Sequence, residues 1–366
     1  MPRMPAIRPH PASAIRAARR AAAAVLALGL VAWSGGAAAH TPDLPAPALA
    51  QPPLLSPAGA LAPGTVTRQG AAPSTAGTSP APVPAQRVLL RGDATTPALT
   101  AYWFVPREGA TPRALPVVVA LHGCGGLLSP HDPSATGDGA DASALLQQRY
   151  REYAQWLTAR GYAVLMPDSF SARGKPHGTC TEPIDNRGID DRTRRADALA
   201  ALRWLGSQPG VDPARIVLLG WSNGAQAVLA TVDASRPWPA GTPQVERAVA
   251  FYPGCKRAVR QHDYRLRTPI LLMIGGADDW TPATRCAMLQ SAVLARQPNA
   301  RFRLEIYPGA HHGFDGTSEL HVRHDVPAAG NSGGVRKARA VTVGGDAVAR
   351  AAALAQLDSW LASPDP

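Results

Sequence analysis

This 366-residue sequence has no apolar run of transmembrane length. The leading apolar stretch, Ala21–Trp33, has 13 residues, whereas a bilayer-spanning helix needs ~20. An export leader is therefore the expected reading, with an uncleaved anchor as its alternative. Acidic residues are also missing from the N-terminus. No Asp or Glu precedes Asp43, while Arg3, Arg8, Arg16, Arg19 and Arg20 crowd the first turns of sequence. The formal charge of +11 is thus loaded at one end; without those five arginines, 32 basic residues face 26 acidic ones. The remaining basic residues are scattered and form no run, so no nucleic-acid partner is expected. A metal is not expected either. His311, His312, His321 and His324 are close in sequence, but they share no predictable element, and no Cys or acid spacing supports a zinc site. There is no internal repeat, which excludes a solenoid.

What the sequence does contain divides it in three. The Arg-rich start, the apolar stretch and the small residues Ala37-Ala38-Ala39 read as a leader over residues 1–39, with cleavage before His40 and a periplasmic or secreted destination. Residues 40–84 are rich in Pro, Ala, Gly, Ser and Thr, a composition that cannot bury a core and reads as a disordered linker. Residues 85–366 are long enough for one folded domain with a large core. No stable membrane insertion is expected once the leader is removed. Four cysteines remain, and export permits disulfides. The placement of the strands favours Cys124–Cys180 and Cys255–Cys286, with four buried thiols as the alternative.

Within the domain, short strands are expected at Val88–Leu90 and Ala98–Val105. A repeating strand–loop–helix pattern then follows. Pro116–Leu121, Tyr162–Met166, Ile216–Leu219, Ala248–Tyr252, Ile270–Ile274 and Phe302–Tyr307 read as strands. Helices are expected at Ala142–Arg160, Arg192–Ser207 and Asn223–Val232, behind Pro282, and at Asp346–Leu361. The Gly-rich Ala328–Gly334 reads as a flexible insertion. Continuous Val- and Leu-rich runs suit strands buried on both faces, so the fold class expected is α/β, a mostly parallel doubly wound sheet flanked by helices.

Gly220-Trp221-Ser222-Asn223-Gly224 fits G-x-S-x-G between a buried strand and a helix, the setting of a nucleophile elbow. The glycines provide space for a sharp turn that lifts the Ser222 hydroxyl to a helix N-terminus. A serine needs a base, and the base an orienting acid; in this setting they follow in the order acid, then His. Asp278 lies just beyond an apolar strand in Gly275-Gly276-Ala277-Asp278 and is preferred to Asp279, which leads into the next helix. In Ala310-His311-His312-Gly313-Phe314, His312 is preferred as the base and His311 as its neighbour. His122-Gly123-Cys124-Gly125-Gly126 follows a strand and reads as half of an oxyanion hole, with donors at the backbone N–H groups of Cys124 and Asn223. Trp221 and Trp280 are expected near the pocket. Arg173, Arg187 and Arg192 are candidates either for binding a substrate carboxylate or for plain surface charge.

In combination, HGCGG at His122–Gly126, RRADALAALRWL at Arg194–Leu205, GWSNG at Gly220–Gly224, YPGC at Tyr252–Cys255, GGADDWTP at Gly275–Pro282 and YPGAHHGFD at Tyr307–Asp315 resemble the dienelactone-hydrolase-like branch of the α/β-hydrolases. The resemblance covers about Ala85–Leu361. It implies the α/β-hydrolase fold, a triad of Ser222, Asp278 and His312, and an oxyanion hole at Cys124 and Asn223. Two positions depart from dienelactone hydrolase proper, which has a cysteine nucleophile where Ser222 stands and a glutamate where Gly123 stands. The expectation is a serine hydrolase that cleaves small carboxylic esters through an acyl-enzyme and needs no cofactor. A peptidase, a polyesterase and a non-catalytic binding module are the rivals.

Overall fold

Where a run is apolar at every position, the chain becomes an interior strand. In the computed structural model, residues 81–93, 96–107, 114–130, 141–183, 186–327 and 340–364 are described. The leader expected over residues 1–39, the expected linker up to residue 80 and the Gly-rich Ala328–Gly334 lie outside the described residues. Strands β1 (Gln86–Leu90), β2 (Leu99–Phe104), β3 (Leu115–Leu121), β4 (Ala163–Pro167), β5 (Val211–Trp221), β6 (Arg247–Phe251), β7 (Ile270–Gly275) and β8 (Phe302–Tyr307) form one sheet in the order β1-β2-β4-β3-β5-β6-β7-β8. Only β1–β2 and β2–β4 pair antiparallel; β4, β3, β5, β6, β7 and β8 run parallel. Val117–Leu121, Ile216–Leu219 and Ile270–Ile274 are almost completely inaccessible, as a sheet covered on both faces requires.

Helices α1 (Gln148–Thr158), α2 (Asp191–Leu205), α3 (Asn223–Thr231), α4 (Lys256–Arg260), α5 (Ala283–Arg296) and α6 (Ala347–Ala362) flank the sheet. Side-chain caps start two of them. Asp190 accepts from the N–H groups of Arg192 and Thr193, and Asp346 from those of Val348 and Ala349. This is the α/β-hydrolase fold. The sequential order reverses about β3, with β4 on one side and β5 on the other. Ligands in open parallel sheets bind beyond the carboxyl ends of the strands at such a point.

The structure differs from the sequence reading in three places. The helix expected over Ala142–Arg160 is broken. Asp141 caps a short 3₁₀ turn at Ala142–Leu145, Leu146 is extended and bridged to Leu128, and α1 starts only at Gln148. Residues 145–147 pair with 127–129, through Ser129 N–H to Leu145 O and Gln147 N–H to Leu127 O, so their backbone is unavailable to a helix. The short α4 was not anticipated. Neither were two three-residue strands, β9 (His321–Arg323) and β10 (Val341–Val343), which pair antiparallel apart from the main sheet.

Candidate active site

Strand β5 runs into α3 through Gly220-Trp221-Ser222-Asn223-Gly224, and sterics leave the glycines no substitute. A Cβ on Gly220 would lie 2.5 Å from Gly224 C, and one on Gly224 1.9 Å from Leu121 O. Ser222 itself sits at φ 51, ψ −112, a region a residue with a Cβ rarely adopts. Such strain costs about 1–3 kcal/mol and persists only where the surroundings enforce it. Here they do so through Ser222 N–H to Phe251 O (2.9 Å) and Gln226 N–H to Ser222 O (3.0 Å). The hydroxyl is thereby held at the N-terminus of α3.

Two loops bring the other groups to it. Beyond β7, Asp278 Oδ1 accepts from the N–H groups of Trp280 (3.0 Å) and Thr281 (2.7 Å), and Oδ2 accepts from the Thr281 hydroxyl (2.9 Å). Beyond β8, His312 places Nδ1 2.8 Å from Asp278 Oδ2 and Nε2 2.9 Å from Ser222 Oγ. Ala277 N–H to Ala310 O (3.0 Å) and Gly276 N–H to Tyr307 O (2.8 Å) stitch the two loops together. The His312 ring is wedged between Tyr252 (centroids 4.6 Å apart) and Trp280 (4.7 Å). Asp279 turns elsewhere: its carboxylate accepts from Thr342 N–H (2.9 Å) and so ties the acid loop to β10. His311 gives its carbonyl to Phe314 N–H (3.3 Å), whereas the histidine hydrogen-bonded to the Ser222 hydroxyl is His312.

Burial pushes the Asp278 carboxyl up, but His312 and the hydrogen bonds from Thr281 outweigh it and hold the group below its ordinary 3.8. A depressed carboxyl contributes stability that is present above its unfolded pKa and is lost as pH falls through its folded one. The urea midpoint of the wild type should therefore fall more steeply than that of Asp278→Asn between about pH 5 and about pH 3. Parallel curves would show that this carboxylate is not stabilised by the fold.

The loop after β3 lies alongside the elbow. A Cβ on Gly123 would be 3.7 Å from Ser222 Cβ, and Gly123 N–H donates to the Tyr150 hydroxyl (2.9 Å). Gln147 Nε2 donates to Gly125 O and Gly126 O (3.0 Å each). Among the described residues, neither Cys124 N–H nor Asn223 N–H donates to a protein acceptor. Arg194, fully buried, spans the two halves: Nη2 donates to His122 O and Nη1 to Asn223 Oδ1, both at 2.8 Å. Burial, opposed by Asp197, brings its pKa down to about 10, so it stays cationic at neutral pH. Burial and the Arg194 charge hold His122 well below the usual histidine range. It is neutral, with Nε2 accepting from Ser169 N–H (3.2 Å) and Nδ1–H donating to Gly123 O (2.8 Å).

Ser222 and His312 open on a cavity of about 340 Å³ that is also lined by Cys124, Arg149, Tyr252 and Trp280, among others. Trp280 and Trp221 both border it. Trp221 is otherwise core, packed on Tyr150, Tyr153 and Phe251. The arginine at the cavity is not one of the three candidates. Arg173 pairs with Asp197 through two nitrogens (2.8 and 3.0 Å), Arg187 donates to Glu182 O and Cys180 O, and Arg192 is exposed at the start of α2. The residue there is Arg149, whose Nη1 donates to the Tyr252 hydroxyl (2.5 Å). That hydroxyl donates to Asp315 Oδ1 (2.6 Å), while Asp315 Oδ2 accepts from Tyr153 Oη (3.0 Å) and Trp221 Nε1 (2.9 Å). The sequence reading found neither Arg149, Tyr252 nor Asp315. The Asp in HHGFD was the available signal.

Both disulfides form as the strand placement suggested, Cys124–Cys180 and Cys255–Cys286. Among the described residues no helix is long and apolar enough to cross a membrane.

Residues 142–360 match the dienelactone hydrolase family. Uncharacterized proteins from two strains of Mycobacterium tuberculosis are each 32% identical over 206 residues, covering 51% of this chain and 67% of their own length. Solved structures of similar fold include a protein from Klebsiella pneumoniae subsp. pneumoniae described as a dienelactone hydrolase (18% identity, TM-score 0.53, 77% of this chain and 99% of that one). Another is a dienelactone hydrolase-like promiscuous phosphotriesterase from metagenomic libraries (19%, TM-score 0.51, 76% and 98%). A third is Thermogutta terrifontis esterase 2 (18%, TM-score 0.50, 76% and 93%).

Proposed function

Because the chain belongs to the dienelactone hydrolase family, we propose that it is an exported serine hydrolase of small carboxylic esters, acting through Ser222, His312 and Asp278. One observation carries the reading: a strained serine at a helix N-terminus, with a histidine nitrogen 2.9 Å from its hydroxyl and that histidine's other nitrogen 2.8 Å from a buried carboxylate.

In this mechanism the Asp278 carboxylate keeps the proton of His312 on Nδ1, leaving Nε2 free to accept. Nε2 takes the Ser222 proton as Oγ attacks the ester carbonyl. The oxyanion is received by the N–H groups of Cys124 and Asn223, and Arg194 steadies the latter residue through its side-chain carbonyl. His312 then returns the proton to the leaving alkoxide, and an acyl ester remains on Ser222. Water enters, gives a proton to Nε2 and attacks the acyl carbon, and the proton goes back to Ser222 as the acid departs. The residues account for every proton, so no cofactor is required.

Gly123 and Ser222 stand where dienelactone hydrolase proper has a glutamate and a cysteine, which favours simple esters over the lactone. Export is supported by the Arg-rich leader over residues 1–39 and by the two disulfides, which persist in oxidising compartments. Residues 40–84 then serve as a linker and 85–366 as the catalytic domain.

The cavity, near the small end of the ~300–1,000 Å³ usual for ligand sites, favours short acyl groups. Across a p-nitrophenyl ester series, kcat/KM should be highest for acetate and butyrate and fall at longer chains. A folded protein with no turnover on any of them would overturn the reading.

A further inference from the structure

The loop that carries the Cys124 amide has little with which to hold itself. In His122-Gly123-Cys124-Gly125-Gly126 only Cys124 separates the glycines, and glycine backbone loses the most freedom on ordering. Yet Cys124 is held at both ends. The Gly123 carbonyl accepts from Gly126 N–H (3.2 Å) and from His122 Nδ1, which turns the N–H of the same peptide, that of Cys124, the opposite way. The Cys124 carbonyl accepts from Thr179 N–H (2.7 Å), and its side chain is bonded to Cys180, the very next residue. Thr179 and Cys180 thus act as one clamp on one residue. Gly178 lets the clamp close, since a Cβ there would lie 2.4 Å from Cys124 O. The clamp is itself anchored by Arg187 Nη2, which donates to Cys180 O (3.2 Å).

The sulfurs also sit in a small apolar cluster separate from the main core, formed with Trp280, Val326, Val341 and Val343. Trp280 packs on His312, and β10, which carries Val341 and Val343, is tied to Asp279 through Thr342. One cluster therefore touches the oxyanion loop, the acid loop and the ring of the base. The second disulfide is placed differently: Cys255 and Cys286 belong to the main core, are 1% and 0% exposed, and lie against Pro253 O.

Resting on the reading of Ser222 as nucleophile, we infer that the Cys124–Cys180 bridge is a positioning element that holds the Cys124 N–H at the oxyanion, so that turnover by the folded enzyme requires this bridge to be oxidised. Both its sulfur-bearing residues line the catalytic cavity, so a reductant reaches it there. With tris(2-carboxyethyl)phosphine, phosphorus attacks one sulfur and the other leaves as a thiolate and takes a proton. Water then releases the second thiol and leaves the phosphine oxide. Two electrons pass from phosphorus to the bridge. A misplacement of about 1 Å costs about 10²-fold in rate, and the amide is loosened rather than removed. kcat should therefore fall about 10- to 100-fold.

The test is steady-state hydrolysis of p-nitrophenyl acetate before and after native reduction, with thiol labelling and mass analysis to show which bridge opened. The double variant Cys124→Ser/Cys180→Ser is measured alongside, and Cys255→Ser/Cys286→Ser serves as comparison. The inference expects selective opening of Cys124–Cys180, a fall in kcat with KM nearly unchanged, a retained near-ultraviolet circular dichroism spectrum and recovery on reoxidation. The comparison variant should lose thermal stability and keep its kcat. A kcat within twofold of the oxidised enzyme overturns the inference. So does loss of the near-ultraviolet signal on reduction, since the bridge would then serve the fold rather than an amide. Ser222→Ala separates the two possible failures. Turnover that survives it overturns the nucleophile reading and this inference together, whereas Ser222-dependent turnover indifferent to reduction overturns the inference alone.

Discussion

Ser222→Ala should lower kcat for p-nitrophenyl acetate by roughly 10⁴-fold or more, with the fold left intact. The size follows from what is removed. In the proposed route Ser222 Oγ makes the covalent bond, and a methyl group in its place leaves His312 Nε2 with no proton to take. Binding in the cavity and the two backbone amides survive, so some acceleration over water should remain. Stability should barely move. Alanine keeps the Cβ and therefore the strain at φ 51, and it gives up the 2.9 Å hydrogen bond to a histidine that Asp278 still holds. A variant with unchanged Tm and a rate within tenfold of wild type would show that Ser222 is not the nucleophile.

The elbow was legible in sequence because its cause is local. Any Cβ at Gly224 would lie 1.9 Å from the Leu121 carbonyl oxygen, so glycine alone fits there, and the strand and helix on either side are visible as apolar runs. Asp278 and His312 could be singled out because each lies past the end of a strand, one apolar throughout and one alternating, where a parallel sheet collects its loops. The choice of Asp278 over Asp279 rested on turn position, and the structure gives the physical difference: one carboxylate is capped by Trp280 and Thr281, the other bound to Thr342.

What stayed hidden depends on contacts across long separations. Strands β9 and β10 have three residues each, too few for a period, and pair with each other and, through Val343, with His312. The start of α1 was misread because Ala142–Leu145 has helical composition, while the pairing of Leu145–Gln147 with Leu127–Ser129 depends on a loop nearly twenty positions away. In the sequence Arg149 falls inside an expected helix, Tyr252 at a strand end and Asp315 at the end of YPGAHHGFD, with nothing to join them. Arg149 and Tyr252 are 103 positions apart, and Tyr252 and Asp315 are 63 apart.

That buried group carries the second large effect. Asp315→Ala should destabilise the protein by about 3–5 kcal/mol, the usual cost of removing one partner from a buried charged network, and lower Tm by about 10 °C for a domain of this size. The Asp315 side chain is 0% exposed and lies 3.4 Å from the Arg149 guanidinium. Its oxygens accept from Tyr252, Tyr153 and Trp221, so its loss strands three buried donors at once. Asp315→Asn, which keeps one acceptor and the volume, should cost less than Ala. The effect should also reach the chemistry. Tyr252 holds an uncommon φ of +41 and its ring packs 4.6 Å from the His312 ring, so freeing its hydroxyl loosens one wall of the base. kcat of the folded variant should therefore fall while KM changes little. Thermal denaturation and steady-state rates measured on the same samples check both halves. A Tm within about 2 °C of wild type would show that the network is not stabilising, and a lowered Tm with unchanged kcat would detach Tyr252 from the positioning of His312.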